Sequence, residues 1–272
     1  MADSLEARIA EQVVRALEGG EPVLVATVMA APDGWGEHVG AKLLVRADDS
    51  TLGSLGVGPL NVVVTAGAAE AFQRHRVHTL YLSPDGEERS RREAAGEAFQ
   101  VMIEVHEQSS ALVIAGGGHV GKALSEIASL CGFRVTVIDD RPEYADPERF
   151  PEAERVIRGR FDEVLADYPL DGTTYVVAVT RGHKHDEASL RGVIGRGAAY
   201  VGMIGSRRRA KAVLKHLVED GADPDEVAKV HTPIGLDIGA ESPAEIAVSV
   251  MAEIILLRRG GRGRPLSEGR GG

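Results

Sequence analysis

The stretch Ala111-Leu-Val-Ile-Ala115 runs directly into Gly116-Gly-Gly-His-Val-Gly121, and a helical stretch, Lys122 to Leu130, follows. A short apolar strand that empties into glycines and then into a helix leaves few folds open. Gly116 permits the tight turn, Gly118 lets a bare backbone approach a ligand, and Gly121 lets helix and strand pack closely. Taken alone, a G-x-G-x-x-G string is a weak signal. Here a second strand follows and ends in Asp139, about 20 residues on, which is the context that gives the string its meaning.

Beyond Ser109-Ser110 the same texture continues. Short apolar strands at Ala111–Ala115, Arg134–Asp139, Tyr175–Thr180 and Tyr200–Ile204 alternate with helical stretches, which predicts a parallel sheet covered on both faces. Residues 109–258 are therefore expected to form a Rossmann-like dinucleotide-binding domain. The glycine- and arginine-rich end, residues 259–272, is expected to be a disordered tail.

Residues 1–108 read differently. Asp3 and Glu6 form a capping-box pattern before a helix over residues 4–18, with Leu5, Ile9, Val13 and Leu17 at helical spacing. Strands are predicted at Val23–Met29, Lys42–Arg46, Thr79–Leu82 and Phe99–Val105, while residues 60–75 are ambiguous between helix and strand. The fold class is thus α/β, with a smaller N-terminal α+β domain ahead of the Rossmann-like sheet.

The expected ligand site gathers at the carboxyl ends of the parallel strands. Gly116, Gly118, His119, Val120 and Gly121 would cradle a pyrophosphate at a helix N-terminus. Asp139 would accept a ribose hydroxyl and repel a 2′-phosphate, with Asp140 the alternative as a turn cap. In Thr180-Arg-Gly-His-Lys-His-Asp-Glu187, His183 and Asp186 are ligand candidates, and His183 is also the candidate general acid or base. His183, His185 and Asp186 also have the chemistry of metal ligands, but a helix cap at Asp186 and exposed histidines account for this loop better, so no metal is expected. In Gly202-Met-Ile-Gly-Ser-Arg-Arg-Arg209, Gly205 and an N-cap at Ser206 precede three arginines in a first helical turn, where the dipole disfavours cations and a bound anion would relieve the conflict.

Composition narrows the function classes. A formal net charge of −10 argues against a general nucleic-acid binder. No apolar run approaches the roughly 20 residues of a membrane helix, and the acidic N-terminus does not read as a secretory signal. A cytoplasmic protein is expected. The lone Cys131 forms no intramolecular disulfide and is expected buried, at the end of the sheet opposite the glycine loop.

The sequence resembles the xanthine dehydrogenase accessory family, XdhC/CoxI. Carrying the resemblance are Gly116–Gly121, Val135-Thr-Val-Ile-Asp-Asp-Arg141, Thr180-Arg-Gly-His183 with Asp186, Gly202-Met-Ile-Gly-Ser-Arg207, Pro233-Ile-Gly-Leu-Asp-Ile-Gly239 and Ser242-Pro-Ala-Glu-Ile-Ala247. In the N-terminal part, Gly40-Ala-Lys42 and Gly53-Ser-Leu-Gly56 also fit. The family's Gly-Gly-Cys-x-Glu stretch is replaced by Val57-Gly-Pro-Leu-Asn61, so no thiolate remains there. The resemblance implies a non-catalytic accessory protein that assists maturation of a molybdenum hydroxylase such as xanthine dehydrogenase. Its cofactor is expected to be a dinucleotide-type ligand, either NAD or a molybdopterin dinucleotide (molybdenum cofactor). An NAD-dependent oxidoreductase using His183 and a nucleotide-binding regulatory module are the rival readings. A homodimer is expected because closed twofold assemblies are common.

Overall fold

A computed structural model describes residues 4–74, 77–94 and 96–269, and the chain divides into two compact units, residues 1–108 and 109–272. In the first, helix α1 (Leu5–Leu17) starts at Ser4, whose hydroxyl accepts the Ala7 N–H at 3.3 Å. Asp3 of the expected capping box lies outside the described residues. Strands β1 (Val23–Ala30), β2 (Lys42–Arg46), β3 (Thr51–Ser54), β4 (His78–Leu82) and β5 (Phe99–His106) form one antiparallel sheet in the order β3-β2-β1-β5-β4.

The central strand β1 explains how this unit closes. Val23 and Val25 pack with Ile9 and Ala16 of α1, whereas Leu24, Ala26 and Val28 join a cluster on the opposite face. Alternate side chains of one strand therefore serve two cores, and the run is apolar except for Thr27. The opposite face is covered by α2 (Gly58–Ala66) and α3 (Ala68–Arg74), which settle the ambiguous 60–75 stretch as helix. Leu60 and Val64, four apart, are buried while Val62 is 69% exposed, a spacing that fits a helix. Pro59 at the start of α2 supplies a pre-set helical φ and lacks an N–H that would otherwise need a partner.

In the second unit β6 (Ala111–Ala115), β7 (Arg134–Asp139), β8 (Arg155–Arg158), β9 (Thr174–Ala178) and β10 (Tyr200–Met203) run parallel in the order β10-β9-β6-β7-β8. Sequence periodicity missed β8, whose Val156 and Ile157 are enclosed by two arginines; such charged ends suit an exposed sheet edge. Every residue of β6 and β9 is buried. On one face, Leu112, Ile114, Val135 and Val137 meet Leu124 and Ala128 of α4 (His119–Leu130) and Val250 and Ile254 of α9 (Pro243–Arg259). On the other, Val113, Ala115 and Val176 meet Phe161 and Leu165 of α5 (Phe161–Asp167). Helices α6 (His183–Arg191), α7 (Arg207–Glu219) and α8 (Pro224–Ala228) follow β9 and β10.

The capping box at Ser242 and Glu245 is present, with Pro243 in the first turn of α9. Gly260 ends that helix in the left-handed conformation, φ +63°. Beyond it, the segment expected as a tail holds a 3-10 turn at Leu266–Gly269. Among the described residues, no helix is long and apolar enough to cross a membrane.

One buried polar link ties β10 to α9. The Tyr200 hydroxyl donates to Glu253 Oε2 at 2.6 Å, the same oxygen accepts the Gly235 N–H at 2.8 Å, and the His231 ring stacks on Tyr200 at 4.7 Å. Burial, with Glu253 beside it, pushes the Tyr200 hydroxyl far above its ordinary pKa, so it stays a donor. Tyr200→Phe removes a hydrogen bond to a charged acceptor and is expected to cost about 1.5–3 kcal/mol. Urea unfolding of the variant, with an unchanged dependence on denaturant concentration, measures this loss.

Candidate functional site

The loop after β6 is built from glycines, three of which have no room for a side chain. Gly116 holds φ +119°, and a Cβ there would lie 2.6 Å from the Val179 carbonyl oxygen. At Gly117 a Cβ would overlap the Tyr144 carbonyl, and at Gly121 the Gly116 carbonyl. Gly118 differs: nothing lies within 4 Å of where its Cβ would point. Three glycines are therefore fixed by the protein's own backbone, and the fourth faces open space.

Gly118 is also the N-cap of α4, and no side chain caps that helix end. The N–H groups of the first turn, together with the helix dipole, make this end suited to a negative group. His119 is exposed at the rim. Val120 packs against the apolar core, so only its backbone belongs to the loop.

Asp139 takes a different place from the one expected. Its side chain is 1% exposed, and Oδ2 accepts the Gly117 N–H at 2.8 Å and Arg141 Nη2 at 3.0 Å. Oδ1 accepts the Arg141 backbone N–H and Nε, both at 3.0 Å. A carboxylate offers about four lone-pair sites, and all are taken. Instead of standing free for a ribose, Asp139 holds the glycine loop in shape. Burial pushes this carboxyl up, but the Arg141 guanidinium and the Arg141 and Gly117 N–H groups together hold it below the ordinary aspartate range. Arg141 is in turn stacked over the Tyr144 ring, 3.5 Å from its centre.

Asp140 accepts Arg181 Nη2 on Oδ2 at 2.8 Å, and its buried Oδ1 has no hydrogen-bond partner among the described residues. Arg181 reaches it from the loop after β9. Periodicity gave no signal for this cross-strand pair, because it joins residues 41 apart in sequence.

The Thr180–Glu187 loop separates what the sequence grouped. His183 opens α6, and its side chain lies outside the described residues. His185 sits edge-on to Phe161 at 5.6 Å. Asp186 is fully buried, accepts the Thr180 hydroxyl at 2.5 Å and pairs with Arg209. Burial keeps Asp186 above the usual carboxylate range even against its hydrogen bonds from Thr180 and the charge of Arg209. Asp186 and His185 thus face different neighbours.

Ser206 caps α7 as expected, accepting the Arg209 N–H at 3.3 Å, and Gly205 precedes it with φ +158°. The arginine conflict is partly relieved from within, because Arg209 turns to Asp186 while Arg207 and Arg208 stay exposed. Cys131 corrects the expected burial: it is exposed, at the C-cap of α4 and so at the far end of that helix from Gly118.

A cluster absent from the expectations, Glu187, His216 and Asp220, has donor atoms within 4.8 Å of one another. Arg191 already bridges Glu187 and Asp220, so a cation occupies this position from within the chain. A solvent-open groove of about 590 Å³ runs along α7 and α8 between Arg207, Lys211, Leu214, Val227 and Pro233. None of the glycine-loop residues lines it, so backbone chemistry rather than concavity marks the candidate site.

A parallel sheet with a glycine turn after its first strand, a helix N-terminus facing that turn and a buried acid at the end of the second strand define a Rossmann domain. The chain belongs to the XdhC and CoxI family: residues 112–254 match the XdhC Rossmann domain, and residues 5–81 match the XdhC and CoxI family domain. It is 31% identical over 226 residues to the protein YqeB of Escherichia coli (strain K12), covering 82% of this chain and 41% of that one. It is 33% identical over 163 residues to a probable xanthine dehydrogenase subunit from Bacillus subtilis (strain 168), covering 60% of this chain and 47% of that one. The matched stretch is thus less than half the length of either relative. A crystal structure described as a xanthine dehydrogenase from Bacillus halodurans shares the fold, with a TM-score of 0.54 and 19% identity over 95% of this chain and 98% of that one.

Two outcomes follow from the loop's construction. Gly117→Ala is expected to destabilise the protein by about 1–3 kcal/mol or more through overpacking, whereas Gly118→Ala, at an open position, leaves the thermal midpoint within about a degree or two. Differential scanning calorimetry of both variants compares them directly. Asp139→Asn is expected to cost roughly 3 kcal/mol by breaking a buried charge pair. Because the folded-state pKa of Asp139 lies below its unfolded value of about 3.9, its contribution is complete above that value and is lost as pH falls through the folded-state pKa. The stability gap between wild type and Asp139→Asn should therefore be constant near neutrality and close below about pH 4.

Proposed function

We propose that this protein is an accessory factor in the maturation of a molybdenum hydroxylase such as xanthine dehydrogenase, working in the cytoplasm and holding a nucleotide-type cofactor in its Rossmann unit. The observation that carries this reading is the glycine loop. Gly116, Gly117 and Gly121 are immobilised by backbone, and Gly118 alone opens toward an uncapped helix N-terminus. That arrangement suits a pyrophosphate, which needs close backbone approach and N–H donors. Family membership and the relative named for xanthine dehydrogenase support the client.

NAD and a molybdopterin dinucleotide both present a pyrophosphate and a ribose, and the donor set fits that part of either. The backbone N–H groups at Gly118, His119 and Val120 would hold the phosphates, and Asp139 would keep the loop in shape rather than touch the ligand. When bound, the cofactor supplies the chemistry that the client enzyme uses, while this chain binds and orients it. A protein thiolate is a poor fit for this site. Cys131, the chain's one cysteine, lies at the other end of α4, which argues against cysteine-dependent sulfur handling by this chain.

Mass analysis of small molecules released on denaturing the purified protein is expected to reveal a pterin or another pyrophosphate-containing nucleotide. Gly118→Val, whose side chain would fill the open face, is expected to abolish nucleotide binding in calorimetry while leaving the fold intact. Unchanged affinity in that variant would sink the reading.

A further inference from the structure

Helix α9 is apolar on more than the face it buries. Between Glu245 and Arg258 its one charged residue is Glu253, and that side chain turns inward to the Tyr200 hydroxyl and the Gly235 N–H. Ala247, Val250, Met251 and Ile254 are buried. The outer side carries Ala244, Val248, Ala252 and Ile255, whose spacing by four, four and three residues aligns them in one stripe. Val248 is 48% exposed and Ile255 39%. A helix that covers a sheet ordinarily shows charges on its outer side, and one that is apolar all round is a helix with something packed on it. We infer that this stripe is the twofold interface of a homodimer, in which α9 lies antiparallel on α9 of a second copy of the chain.

The order of residues along the stripe selects a second copy over any other occupant. Glu245, Val248, Ala252, Ile255 and Arg259 run from acid through apolar to base, and they are balanced about Ala252. Glu245 and Arg259 stand at equal distances before and after it, and Val248 and Ile255 nearly so. In a twofold contact residue i meets j while j meets i. With the axis at Ala252, Val248 therefore meets the partner's Ile255, and Glu245 meets the partner's Arg259. Ala252 is half-buried and carries a single methyl group, so the helix axes can approach to about 8 Å.

Charge fixes the direction of the pairing. A parallel arrangement would set acid on acid and base on base, whereas the antiparallel one pairs them and also opposes the two helix dipoles. A partner of uniform charge would suit one end of the stripe and be repelled by the other. A chain of net charge −10 repels its own copies over most of its surface. Along this stripe, roughly 21 Å from Glu245 to Arg259, each acid finds a base.

Sedimentation equilibrium of the full chain is expected to show a dimer. Val248→Glu, at a position open to solvent in the single chain, buries two unpaired charges in the apolar centre and is expected to weaken the dimer at least about a hundredfold. Arg259→Glu sets acid against acid and is expected to weaken it about tenfold. In a Cys131→Ser background, Ala252→Cys brings the two copies' thiols together at the axis, so mild oxidation should yield a disulfide-linked dimer. Leu257→Cys, exposed on the opposite side of α9 from Val248, should not cross-link. Circular dichroism checks that each variant keeps the fold. A wild type that stays monomeric at all concentrations overturns the inference and leaves the stripe to another protein. A dimer that Val248→Glu leaves intact overturns the assignment of the face, and one that it weakens without cross-linking at position 252 overturns the antiparallel register.

Discussion

The buried Asp139 carboxylate is the contact on which the second unit's site depends. A glycine turn has little intrinsic preference for one conformation, because residues without a Cβ give up the most freedom on folding. Asp139 supplies what the turn lacks. It reaches from the end of β7 to the Gly117 N–H and is itself fixed by Arg141 through three hydrogen bonds. A charge enclosed in this way is costly unless its partners are complete, and here they are. The loop is thereby held in shape before any ligand arrives, which spares a ligand the entropy of ordering it.

Around that clamp the parallel sheet does the positioning. Helices cover both faces, so β6 and β9 are buried throughout, and the polar side chains of β9, Thr174 and Tyr175, stand at its amino end. The turns after β6, β7 and β9 lie together at the carboxyl ends of the strands, where Arg181 reaches Asp140 from the loop after β9. The nearby Thr180, Asp186 and Arg209 contacts tie α7 to the β9 turn and so brace that end of the sheet.

The first unit solves a different problem. Its sheet is antiparallel, and its central strand carries six buried residues in succession, shared between α1 on one side and α2 and α3 on the other. Where the family pattern has a cysteine, this chain has Val57-Gly-Pro-Leu-Asn61, and those residues start α2 and bury Leu60 in the core. The Asn61 carboxamide accepts the Leu55 N–H at 2.9 Å, and its amide donates to Ser54 at 2.9 Å. The segment is thus part of the unit's packing.

The sequence by itself determined the parallel sheet, the glycine turn, the capping of α7 and α9 and the membership of Gly116, Gly118 and Gly121 in one loop. Each of these follows from local spacing, strand length and turn chemistry, which act between residues a few positions apart. It did not determine β8, whose four residues carry too little pattern, or the helical state of residues 60–75, where a run of valines favours strand and packing against β1 favours helix. Tertiary structure alone decided the roles of the acids. Asp139 and Asp140 are neighbours of identical chemistry, and only burial, strand direction and partners distant in sequence make one the clamp of the glycine loop and pair the other with Arg181. The same holds for Asp186, which lies beside His185 in the chain yet turns inward to Arg209, and for Cys131, whose exposure depends on what packs over the end of α4. Side-chain roles are set by long-range contacts, which local pattern does not encode.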